Sequence, residues 1–220
     1  MPTQDIRDKI ERSAIRRGGV HHAFSQSWAD IKGHRQVGKF VNDKAVELND
    51  SLYVGGMCHP MSMYWLALRQ RGQKSFFDWL RPDGVWDSGA INVLVIKTVM
   101  YKNGRNHMVP DEVHTDFDDQ FFAHYNLKRY GAKLRGLDNM LTYLDRQTVG
   151  YHMMSLSRDG GGHAVAAHVA PGGESGFFDP NFGDYVFPTP QKLGSFVRRF
   201  MQTSGYADKY VRAQSVDTFR

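Results

Sequence analysis

Hydrophobic positions in the first two thirds of this chain recur every three or four residues; beyond Gln147 they gather into short runs bounded by turn residues. The first spacing is that of helices, the second that of strands. Residues 1–17 predict a helix with Ile6, Ile10 and Ile15 on one loose face, stopped by Gly18-Gly19. Residues 18–50 are polar and irregular, so 1–50 reads as an extension or arm and 51–220 as the folded domain. Pro60 is acceptable only in a helix's first turn, which pins a helix start near 59–60. Met61, Trp65 and Leu68 then form its inward stripe, and it ends near Arg71-Gly72. Further helices are expected at 88–101 (Val93, Ile96, Val99, Met100), 111–129 (Phe117, Phe121, Phe122, Tyr125) and 136–146 (Leu137, Leu141, Leu144). Thr148–Ser157, His163–Ala170, Gly176–Phe178 and Tyr185–Phe187 suit antiparallel strands. Thr189-Pro190 caps a helix through Met201, and Lys209–Val216 adds a closing strand. Helices first and strands later give an α+β layout.

Composition narrows the classes. Hydrophobic residues at 41% and aromatics at 13% of 220 residues fit a globular chain with one well-buried core. A single cysteine excludes an internal disulfide. No apolar run has signal-peptide or membrane-span length; Ala90–Met100 is the longest candidate, and Lys97 interrupts it. The expectation is a soluble protein made in a reducing cytoplasm, with export without a cleaved signal left open. The net charge of +5 raises nucleic acid and anionic membrane surfaces as partners. The basic residues are dispersed, however, so a solvated basic surface is expected, no nucleic acid, and at most proximity to an anionic membrane surface. Ten histidines form no His-x-x-x-His or Cys/His cluster, so no metal or other cofactor is expected.

Three islands carry candidate chemistry. Cys58, in Gly55-Gly56-Met57-Cys58-His59-Pro60, is the only sulfur nucleophile. The amides and dipole of a helix start stabilise a thiolate, and the same amides can stabilise the oxyanion of an attacked carbonyl. The bland reading of Cys58 is a small buried hydrophobe. His163 follows three glycines that clear space around its ring. Strand alternation sets His163, Val165, Ala167 and Val169 on one face and Ala164, Ala166 and His168 on the other. His168 then has a structural or solvent role, and the bland reading of His163 is a histidine ending a buried strand. Asp179 lies sixteen positions beyond His163, a gap that suits two adjacent strands joined by Pro171-Gly172-Gly173-Glu174-Ser175. A carboxylate there reaches the imidazole from behind. Asp179-Pro180-Asn181-Phe182-Gly183 is equally suited to a turn, and both readings hold if the turn aims the carboxylate.

Cys, then His, then Asp is the order in which a papain-like thiol hydrolase lays its triad along the chain. The segment Gly56-Met57-Cys58-His59-Pro60-Met61-Ser62-Met63-Tyr64-Trp65-Leu66 resembles the nucleophile motif of YopT-type (YopT/AvrPphB-like) cysteine proteases. Gly162-His163-Ala164-Val165-Ala166 resembles their histidine motif, and Phe178-Asp179-Pro180-Asn181-Phe182-Gly183-Asp184-Tyr185 their Phe-Asp-Pro-Asn-x-Gly-Glu-Phe segment. The resemblance implies a papain-like fold with Cys58 as nucleophile, His163 as general base and acid, and Asp179 as orienter. It implies a bacterial effector made in the bacterial cytoplasm, secreted into a host cell without a cleaved signal peptide, and cleaving a host protein. Two features depart from the family: among Asn49-Asp50-Ser51-Leu52-Tyr53 no amide side chain stands at the expected offset before Cys58, the nearest, Asn49, lying too far upstream, and His59-Pro60 replaces smaller residues. A deamidase, transglutaminase or peptidoglycan amidase using the same three residues, and a non-enzymatic basic binding protein, are the competing readings.

Overall fold

The computed structural model describes residues 3–26, 57–72, 75–84, 87–94, 96–97 and 110–220. The Gly55-Gly56 loop, Asn49–Tyr53, Val99 and Met100 lie outside the described residues. In chain order the elements are α1 (Gln4–Ile15), β1 (Val20–Ala23), α2 (Cys58–Gln70), α3 (Phe76–Leu80), α4 (Pro110–His124), β2 (Leu134–Arg135) and α5 (Leu137–Asp145). Then come β3 (Gly150–Arg158), β4 (Gly161–Val169), β5 (Ser175–Asp179), β6 (Gly183–Phe187), α6 (Pro190–Thr203), α7 (Tyr206–Lys209) and β7 (Ala213–Phe219). They fall into two compact units, residues 1–24 with 129–220, and residues 25–128.

The first unit is a seven-stranded sheet in the order β1-β6-β5-β4-β3-β7-β2. Every pairing in it is antiparallel. Its core joins Ile10 and Ala14 of α1, Met140, Leu141 and Leu144 of α5, and Leu193, Phe196, Val197 and Phe200 of α6 to Val165, Ala167, Phe177, Tyr185 and Phe187 of the sheet. Gly194 permits the approach of α6 to α5, since a Cβ there would meet Asp145 and the Leu144 carbonyl. Val165, Ala167 and Val169 share the core face as alternation requires, and Ala164 and Ala166 on the other face are buried too.

Four local expectations shift. In α1 the buried face is Ile10 and Ala14, with Ile6 partly buried, whereas Ile15 is exposed. A residue five on from Ile10 is turned roughly 140° away, while one four on is within roughly 40°. Val20–Ala23, inside the run 18–50 read as polar and irregular, is the edge strand paired with Gly183–Val186. The closing strand begins at Ala213, because Tyr206–Lys209 form the short helix α7. Thr189 is the N-cap of α6, yet its hydroxyl makes no capping bond, and Pro190 at the first position sets the helix instead.

In the second unit, α2 runs from Cys58 with Pro60 in its first turn, and Met61, Trp65 and Leu68 are buried as their spacing requires. Tyr64 stacks on Trp79 of α3 at 4.9 Å and meets Phe121 of α4 edge-on at 5.0 Å. Burial and then the neighbouring Tyr125 push the Tyr64 phenol up to about 12. A further helical run occupies 88–94 and 96–97, and it buries Ile91 and Leu94 rather than Val93 and Ile96. Helix α4 stops at His124, short of 129, where Asn126 takes φ 60° and the Leu127 amide bonds back to the Phe122 carbonyl.

Candidate active site

Two of the three residues singled out by sequence stand together in the first unit. Strands β4 and β5 pair antiparallel across the 171–175 turn, and His163 Nε2 lies 3.1 Å from Asp179 Oδ1. Both are buried, His163 at 6% exposure and Asp179 at 0%. A carboxylate withdrawn from water must be met by donors. Here the same Oδ1 also accepts the Asn181 backbone N–H at 2.7 Å. The turn reading and the aiming of the carboxylate at the ring are therefore one arrangement. The Phe182 amide, bonded to the Asp179 carbonyl at 3.0 Å, closes the turn.

Amino-terminal residues hold that turn from outside. Arg7 of α1 donates from Nη1 to the Asn181 carbonyl at 2.8 Å and lies over the Phe182 ring. His21 of β1 donates from Nε2 to the Phe182 carbonyl at 3.0 Å and stacks on Tyr185 at 4.4 Å. Gly183 is required by this packing: at φ 121° its place for a Cβ is taken by the His22 carbonyl oxygen and the Phe24 amide.

The His163 ring is also walled by aromatics that sequence reading passed over. Tyr206 meets it edge-on at 5.3 Å, and Tyr210 lies nearly parallel at 6.1 Å. Asn181 Nδ2 donates to the Tyr206 hydroxyl at 3.0 Å and comes within 3.3 Å of His163 Nε2. Burial first, and the Asp179 charge second, drive the Tyr206 phenol well above its ordinary value, so it stays protonated. The only sequence signal for this wall was a pair of tyrosines four apart after α6. His168, by contrast, stacks on Tyr151 at 4.5 Å and is only half-buried.

Cys58 belongs to the second unit. It is the first residue of α2, follows Met57 at the N-cap, and is a partly exposed thiol outside any disulfide. That position gives a thiolate the helix-start amides and the positive end of the dipole. Among the described residues no three His, Cys, Asp or Glu side chains group as metal ligands, and no helix is long and apolar enough to cross a membrane.

Residues 131–219 match the family described as Yersinia/Haemophilus virulence surface antigen, Peptidase_C58. The cysteine protease YopT of Yersinia pseudotuberculosis is 28% identical over 205 residues, covering 86% of this chain and 60% of that protein. A protein adenylyltransferase and cysteine protease, IbpA of Histophilus somni, is 44% identical over 63 residues, 28% of this chain and 2% of its own length. The chain thus spans under two thirds of the curated relatives it matches. In fold it is similar to the Pseudomonas avirulence protein AvrPphB, with TM-score 0.57, 15% identity, and coverage of 74% of this chain and 91% of that one. The expected α+β class, with helices and an antiparallel sheet, holds. Sequence relatives, the family model over residues 131–219 and the fold converge: the chain is similar to YopT-type cysteine proteases.

Proposed function

We propose that this chain is a cysteine peptidase in which Cys58 attacks, His163 moves the proton and Asp179 orients the imidazole. It acts on a protein of a host cell, into which a bacterium delivers it. The observation that carries the reading is the buried His163–Asp179 contact through Nε2, inside the segment matched by the family model. With Nε2 committed to the carboxylate, Nδ1 is the nitrogen that exchanges protons with the thiol and the leaving group.

The cycle then balances as two acyl transfers. The Cys58 thiolate forms a bond to the scissile carbonyl carbon, and the carbonyl oxygen becomes an oxyanion held by helix-start amides. Collapse breaks the C–N bond, the departing amine takes the proton from His163 Nδ1, and a thioester remains. Water, deprotonated by the same nitrogen, attacks the thioester; the C–S bond breaks, the acid product leaves and the thiolate returns. Asp179 keeps its charge throughout and stabilises the imidazolium.

The test is comparison of new protein N-termini, by peptide mass spectrometry, in a host-cell lysate treated with the wild type or Cys58→Ala. New termini confined to the wild type support the reading. Their absence, together with a Cys58 that alkylates like an ordinary thiol of pKa about 8.5, sinks it.

A further inference from the structure

Helix α2 starts without the usual fasteners. Met57 at its N-cap makes no side-chain capping bond, its first turn holds no acidic residue, and Pro60 has no N–H to give. Its first backbone bond runs from the Met61 amide to the Met57 carbonyl at 3.0 Å. Such a start frays unless a tertiary contact holds it. One such contact is made by His59, the residue after Cys58. Its Nε2 donates to Asp118 Oδ1 of α4 at 2.7 Å, with His59 at 6% and Asp118 at 3% exposure. The ring also leans on Phe117, with centroids 6.3 Å apart. Five residues further on, Tyr64 against Phe121 supplies the apolar part of the same helix packing.

An apolar pair in place of His59 and Asp118 would hold α2 to α4 at least as firmly, since burying a titratable pair is expensive. What the hydrogen bond adds is direction. Two apolar side chains allow the helix to turn or slide by fractions of an ångström; a donor 2.7 Å from its acceptor fixes both rotation and rise of the first turn. We propose that His59 and Asp118 are positioning residues that lock the first turn of α2 and so set the aim of the Cys58 sulfur. The inference rests on the reading of Cys58 as nucleophile, and it gives a purpose to the His59-Pro60 pair that departs from the family motif.

His59→Phe keeps a ring against Phe117 but removes the donor, and Asp118→Ala removes the acceptor. Each is expected to lower kcat about 10- to 100-fold with KM little changed, the scale of a sub-ångström to ångström misplacement of a reacting atom. Each also moves the pH–rate profile of Cys58 alkylation by iodoacetamide toward that of an ordinary thiol. The double variant is no worse than His59→Phe alone, because the bond they share is already lost there. His59→Gln and Asp118→Asn, which keep a hydrogen bond at this place, recover most of the wild-type profile. Wild-type kcat and alkylation in folded His59→Phe overturn the inference. If His59→Phe does not fold, full kcat in a folded Asp118→Ala overturns it equally. If Asp118→Ala also fails to fold, a defect in His59→Gln and Asp118→Asn as deep as Cys58→Ala overturns it, and partial activity supports it. Failure of the functional reading looks different: the wild type itself then shows no new termini and an ordinary thiol profile.

Discussion

His163 turns Nε2, not Nδ1, to Asp179, and the carboxylate oxygen it meets at 3.1 Å is the one that takes the Asn181 amide at 2.7 Å. One oxygen thus serves the turn and the ring, so substitutions at 179 separate the two duties. Asparagine can still accept the Asn181 amide but brings no charge to stabilise the imidazolium; alanine does neither. Asp179→Asn is expected to keep its melting temperature within a few degrees and lose roughly 10- to 1,000-fold in kcat, less than a serine protease suffers from the same change, since papain-like enzymes can use an amide here. Asp179→Ala loses more activity and also melts lower. Measuring both quantities on the same preparations decides it: full specific activity in folded Asp179→Ala removes Asp179 from the machinery.

The two candidate histidines of β4 should part company. His163 is walled by Tyr206 and Tyr210 and bonded to Asp179, whereas His168 stacks on Tyr151. His163→Ala is expected to abolish turnover, and His168→Ala to leave a folded enzyme within about threefold of wild type, since losing one ring stack costs only about 1 kcal/mol of stability. Circular dichroism with turnover on each variant is the check; equal loss in two folded variants contradicts the assignment.

The legible parts of this protein were those written in local pattern. The change of period near Gln147, the first-turn constraint of Pro60 and the spacing of His163 and Asp179 each act through a few neighbouring residues, and the strands β3 to β6 and the start of α2 follow from them. The amino-terminal strand was not legible, because Val20-His21-His22-Ala23 has no strand-like alternation and is held by what β6 offers: hydrogen bonds at an edge, the Tyr185 ring and Asp184. The Tyr206–Asn181 link and the His59–Asp118 pair span 25 and 59 residues, and nothing in the spacing of the partners announces either. Long-range polar pairs are fixed by the finished fold.

The turn that carries Asp179 depends on residues far from it in sequence. Gly183→Ala forces a Cβ into the His22 carbonyl at a backbone angle that alanine rarely adopts, so β1 must move off β6. A loss of roughly 2–4 kcal/mol is expected from strain and lost edge pairing. Arg7→Ala, which removes the donor to the Asn181 carbonyl, should cost about 1–2 kcal/mol and lower kcat more than it raises KM. Denaturant unfolding and steady-state kinetics test both; a Gly183→Ala protein as stable as wild type would show that the turn tolerates the shift.

Acid should weaken the sheet through His152, a buried residue outside the proposed chemistry. Its Nε2 donates to the Thr148 carbonyl at 2.8 Å, its Nδ1 sits 3.1 Å from the Thr218 hydroxyl, and the Tyr143 ring stands edge-on at 5.6 Å. With Nε2 donating to Thr148, a ring kept neutral by burial leaves Nδ1 without a proton, facing the Thr218 hydroxyl. Burial lowers its pKa to about 4, against the partial support of the Thr148 bond and with small further pushes from His168 and Arg220. In the unfolded chain the same ring takes a proton near its ordinary value of about 6.5. The stability held by the neutral ring is present in full above that value and is lost as pH falls toward 4, because the unfolded state then binds the extra proton. The loss over that window is on the order of 3 kcal/mol. His152→Gln, which cannot titrate, is expected to be less stable than wild type at pH 7.5 for want of a well-fitted ring. Its urea midpoint should fall less steeply between pH 6.5 and 4.5, so that the two curves converge in acid. Parallel curves across that range would mean that His152 takes its proton in the folded protein as readily as in the unfolded chain.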